Sequence, residues 1–106
     1  MTPRPISLID QSTERVASLE VGPVGDHFEG AISLDTTPPE LKQLFEEYEE
    51  IVEGQILSLL DKIEEKISSI PIRAVFDNGS MADVCDLQVF PRARSVSFKT
   101  IQQLPI

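Results

Sequence analysis

Residues 37–70 read TPPELKQLFEEYEEIVEGQILSLLDKIEEKISSI, and the spacing of their apolar groups decides the architecture. Leu41, Leu44, Phe45, Tyr48, Ile51, Val52, Ile56, Leu59, Leu60, Ile63 and Ile67 recur at intervals of three and four, the period of a helix with one wet face. Thr37 stands where a helix N-cap would, with Glu40 three residues on to complete a capping box, and a proline between them costs no needed hydrogen bond. Pro71 disfavours helical geometry at the residue before it, so the predicted helix runs from 38 to about 68. At 1.5 Å per residue such a rod is about 46 Å long, whereas a chain of this size has a radius of gyration of about 13 Å. Either Gly54 breaks the helix, or its surplus apolar length needs a partner. Ile56, Leu57, Leu59 and Leu60 spread over more than half of the circumference, more than one sheet face covers. Ile56, Leu57 and Leu60 are therefore the expected self-association surface of a homodimer.

On either side of this segment the patterns are those of strands. Arg15–Val21 and His27–Leu34 are predicted strands parted by the turn residues Gly22, Pro23 and Gly25, and Gly30 marks a bulge or a close helix approach. Downstream, Ile72–Phe76 and Met81–Phe90 flank Asn78-Gly79, the favoured centre of a type I′ hairpin. A two-residue loop there sets Phe76 opposite Met81, Ala74 opposite Asp83 and Ile72 opposite Cys85, with Asp83 the only polar member of the inner face, which calls for an edge location, a bulge or a nearby partner such as Arg73. Pro91–Arg94 makes a further turn before a last strand holding Val96 and Phe98. Residues 1–13, with Pro3 and Pro5, read as a poorly ordered arm, and residues 14–106 as a single domain. The expected fold is α+β, ββαβββ, with one long amphipathic helix packed on an antiparallel sheet.

The chain has 106 residues, a net charge of −9 and ordinary globular composition. Acid is concentrated in residues 38–70, and such a charge repels nucleic acid and anionic membrane. No apolar run suits a signal peptide or a membrane span, so a cytoplasmic protein is expected. Cys85 is the sole cysteine, which rules out an intrachain disulfide and zinc-type spacing.

The candidates for chemistry are few. Glu46, Glu50 and Glu53 fall on one helical face, but the Glu-x-x-His pattern of di-metal bundles is missing, and no metal or cofactor is expected. The run from Asp77 to Asp83 fails as a calcium loop because its glycine is misplaced. His27 and Cys85 are the only imidazole and thiol, and nothing in the sequence brings them together. What remains is recognition. Glu46, Glu49, Glu50 and Glu53 form an acidic face, and Arg92 and Arg94, with Lys99, form the one basic cluster; the two could meet between subunits. The first expectation is a non-enzymatic homodimeric binding module, the second an acidic inhibitor or immunity-type protein that blocks a basic active site or nucleic-acid-binding surface with the Glu46–Glu53 face, and the third a small-molecule-binding protein or enzyme with a pocket between helix and sheet. Leu59 is expected at the centre of the apolar belt and Glu49 in solvent.

Overall fold

In the computed structural model, which describes residues 3–12 and 14–101, the chain forms a closed antiparallel barrel of six strands with two helices. The strands are β1 (Arg4–Ile9), β2 (Arg15–Val24), β3 (His27–Ser33), β4 (Arg73–Val75), β5 (Met81–Phe90) and β6 (Ser95–Ile101). Helices α1 (Pro39–Glu53) and α2 (Leu57–Ser68) connect β3 to β4. The order around the barrel is β1-β2-β3-β6-β5-β4. This corrects the expected single long helix on an open sheet in two places.

The first is β1. The supposed N-terminal arm contains RPISLI, in which Ile6 and Leu8 are buried while Pro5 stays exposed, and it pairs with β2 on one side and β4 on the other. Without this strand the sheet would have two open edges; with it the ladder closes.

The second is the helix. A continuous rod would exceed the longest dimension of the molecule, 40 Å, and the chain breaks at residues 54–56. Ile56 N–H bonds to the Ile51 carbonyl and Gln55 N–H to that of Val52, the paired bonds of a Schellman end. The left-handed position is not Gly54, which is right-handed at φ −79°, but Gln55 at φ 55°.

Because every pairing is antiparallel, each rim of the barrel mixes strand starts and strand ends, and the end of β3 lies on the same rim as the start of β4. The helical hairpin leaves from the end of β3, returns to the start of β4, and covers that end of the barrel. Leu41, Phe45 and Tyr48 of α1 and Ile63 and Ile67 of α2 are buried against Leu8, Val16, Leu19, Ile32, Val89 and Val96. Thr37 does not cap α1; it is buried and its hydroxyl donates to the Val16 carbonyl, tying the helix entry to β2, while Pro38 is the N-cap. At the opposite end Phe28 stacks on Phe98 of the neighbouring strand, with centroids 5.4 Å apart. Phe28 also meets Phe76, just beyond β4, at 5.8 Å. Strands β3 and β4 stand three places apart in a ring of six, so this contact crosses the lumen. A small barrel filled by side chains has no channel.

The β4–β5 hairpin is one residue out of the expected register: Val75 faces Met81, Ala74 faces Ala82 and Arg73 faces Asp83. Its loop has three residues, with Gly79 N–H bonding to the Phe76 carbonyl and Gly79 alone at positive φ, 87°. A slip of one residue exchanges the faces, so Met81 is exposed and Asp83 lies outside, 3.4 Å from Arg73. Gly30 marks the close approach of strand β2, not of a helix as expected: a Cβ there would lie 2.0 Å from the Glu20 carbonyl oxygen.

Candidate functional site

The acidic face expected on α1 is largely used by the protein itself. Glu49 is 2% exposed and is no partner-binding group. Its carboxylate accepts hydrogen bonds from the backbone N–H of Arg92 at 2.9 Å and of Ala93 at 3.4 Å, in the turn between β5 and β6. That turn has no glycine, and Arg94 takes the left-handed position at φ 53°. The buried carboxylate holds a turn that lacks the usual residue for its shape. The Arg92 guanidinium lies 3.7 Å from Glu50 and 3.6 Å from Glu53, so the expected contact between basic cluster and acidic helix is made within one chain. Glu46 and Arg94 are exposed.

The surface expected for self-association is open. Leu57 is 73% exposed, Ile56 and Leu59 are each 44% exposed, and Leu60 is half-buried against the core. Leu59 is therefore not the centre of a buried belt; Ile63 and Ile67 take that place.

His27 is held at both ring nitrogens, Nδ1 to Asp26 at 3.2 Å and Nε2 to Glu29 at 2.7 Å. The hydrogen bond to Glu29, followed by that to Asp26, raises the imidazole pKa above its ordinary value. Asp26 is shifted down, by the His27 bond first and Lys99 second. With its ring so engaged, His27 does not serve Cys85, which instead lines a groove elsewhere. Among the described residues no cluster of three or more histidine, cysteine or carboxylate groups is placed to hold a metal ion, and no helix is long and apolar enough to cross a membrane.

That groove has the build of a binding site. It has a volume of about 530 Å³ and lies between α2 and β5, within the usual 300–1,000 Å³ range of ligand pockets. One wall is α2, where Asp61, Glu64, Glu65 and Ser68 share a face at helical spacing. The opposite wall is β5 from Val84 to Gln88, including Asp86. Apolar groups line the space between them: Ile67, Ile70, Ile72 and Leu87. Asp61, Glu64 and Glu65 have no basic group within ion-pairing distance among the described residues, whereas Asp86 has Lys99 at 3.8 Å. Tyr48 also lines the groove; it is 4% exposed, and its hydroxyl has no hydrogen-bond partner among the described residues. Burial, and then the Glu64 carboxylate, push the phenol pKa up, so Tyr48 stays a neutral donor and acceptor.

The strand wall exists because β5 is irregular. Its pairing with β6 shifts between Cys85 and Gln88, leaving Asp86 and Leu87 without partners, and Asp86 sits at φ 51°. Acidic α2 residues were visible in the sequence, but alternation alone did not reveal a bulge that reverses which β5 residues face inward. No family model, no curated protein and no solved structure matches the chain.

Proposed function

We propose that this protein is a non-enzymatic binding module that receives a basic segment of a partner protein in the groove between α2 and β5. The observation that carries this reading is the arrangement of Asp61, Glu64 and Glu65, carboxylates without basic partners among the described residues, beside an apolar floor. A lysine or arginine suits such a site, because its alkyl stem covers apolar surface while its charged head reaches a carboxylate. The net charge of −9 adds long-range attraction for a cationic partner. Of the expected readings this is nearest to the acidic inhibitor, with the binding face moved from α1 to α2.

The test is a titration of the chain with an acetylated, amidated Val-Lys-Val-Lys-Val peptide at low and high ionic strength, followed by amide chemical shifts. Shifts should cluster on α2 and on Val84–Gln88, and affinity should fall steeply with salt. A chain carrying Asp61→Asn, Glu64→Gln and Glu65→Gln, all exposed positions, should lose most of the affinity and most of its salt dependence. Unchanged binding by that variant would refute the site.

Exposure of Leu57, Ile56 and Leu59 at the tip of the helical hairpin favours a second reading, homodimerisation through that tip. Sedimentation equilibrium should then report a dimer that Leu57→Glu converts to monomer. A wild-type monomer at all concentrations overturns it.

A further inference from the structure

The strand wall of the groove is made of five consecutive residues, Val84 to Gln88. Side chains of a strand alternate between its faces, so a groove lying on one face of a sheet would meet every second residue. Here the bulge at Asp86 and Leu87 interrupts that alternation, so consecutive residues border the groove; what opens it to a partner is the β4-side edge of β5. Strand β4 covers that edge only opposite residues 81–83, and the next backbone contact is Val84 N–H to the Ile72 carbonyl. Farther along, Tyr48 of α1 packs on Phe90 with ring centroids 5.7 Å apart. Between these two covers, Asp86 and Leu87 have no strand partner on either side. An open strand edge is a template for one more strand.

Resting on the function proposed above, we infer that the groove is a strand-addition site: an extended basic segment of a partner protein lies between α2 and β5 and hydrogen-bonds its backbone to the open β5 edge. Its cationic side chains meet Asp61, Glu64 and Glu65 on the helix wall, and the Tyr48 hydroxyl offers a polar contact at the floor. Backbone pairing supplies affinity and the alternate side chains supply selectivity, the usual division in strand addition. Four fully extended steps from Val84 to Gln88 would span about 13 Å, and the left-handed Asp86 at φ 51° shortens that, so the occupant is a short segment of about three or four residues. Charge selects the occupant: a second copy of a chain with net charge −9 would bring acid to acid.

The test modifies the peptide and leaves the protein intact, so folding is not at stake. Two versions of the Val-Lys-Val-Lys-Val peptide are made, each N-methylated at the alternate nitrogens that point to one edge. Charge and side chains are unchanged, and only one edge of each peptide can pair. One of the two should bind about tenfold more weakly than the parent, the equivalent of one lost hydrogen bond. It should also fail to slow amide exchange at Asp86–Gln88, which the parent slows. Equal affinity of all three peptides overturns strand addition while leaving the cationic groove standing. No saturable binding of the parent at low ionic strength overturns both. Protection of Asp86–Gln88 that appears only with dimerisation, in the absence of peptide, overturns the choice of occupant.

Discussion

Replacing Glu49 by alanine tests the link between helix and barrel most directly. The substitution removes the acceptor of two backbone N–H groups, one well placed at 2.9 Å and one marginal at 3.4 Å. A hydrogen bond to a charged group contributes about 1.5–3 kcal/mol, and an orphaned buried donor costs a similar amount. Two effects reduce the loss. Arg92 and Ala93 are themselves exposed, so water reaches their amides once the carboxylate is gone. Alanine also favours the helix over glutamate by a few tenths of a kcal/mol, roughly. The net expectation is a loss of about 1–2 kcal/mol, or roughly 5–15 °C in melting temperature for a domain of this size. Urea unfolding with an unchanged m-value is the measurement. Glu46→Ala, one turn away and exposed, is the control and should stay within about 0.5 kcal/mol of wild type. Glu49→Gln keeps one carbonyl oxygen for Arg92 and should fall between them. If Glu49→Ala matches Glu46→Ala, the carboxylate is not anchoring the turn.

Gly30→Ala should cost more than about 3 kcal/mol or prevent folding, because its Cβ would lie 2.0 Å from a backbone oxygen that cannot move without shifting the β2–β3 ladder; a variant with native circular dichroism and wild-type melting would contradict this. Gln55→Gly should stabilise the chain by about 0.5–1 kcal/mol by placing glycine at the left-handed helix end, as read from urea midpoints; a destabilised variant would mean that the Gln55 side chain matters more than its backbone. The raised His27 pKa gives a stabilising contribution fully present below the unfolded value near 6.5 and lost as pH rises through the higher folded value. The imidazole should therefore titrate above 6.5 by proton NMR, and His27→Gln should flatten the pH dependence of stability in that window; a measured pKa at or below 6.5 would refute the pairing.

What could be read in advance follows from the range of the forces involved. Helical periodicity is local, so the outer limits of the helical segment were legible to within a few residues, but its division into α1 and α2 was not: one long helix was expected, with a break at Gly54 only the alternative. Which residue turns left-handed was not legible either, because Gln55 carries no local mark. Gly79 signalled its turn, but a three-residue and a two-residue loop can use the same Asn-Gly pair, and one residue of difference moved Asp83 from the inner face to the outer. Glu49 was hidden by its neighbours: in a run of five carboxylates nothing local distinguishes the one that points inward to a distant turn. Strand β1 was obscured by Pro5 and by Pro3 just before it, although the alternation of Ile6 and Leu8 with Pro5 and Ser7 was present. Ring closure cannot be seen in any window of sequence, because the strands that close it lie far apart in the chain.

That closure has a consequence during synthesis. Ser7 pairs with Val75, so β1 waits for nearly seventy further residues to be made before its second neighbour exists. Until then a nascent chain holding β1, β2 and β3 is a three-stranded meander with both outer strands unpaired, and the acidic helical segment is the first thing to emerge behind it. A net charge of the same sign on every copy opposes contact between neighbouring nascent chains through that interval, so the acidity of the chain guards the unfinished barrel.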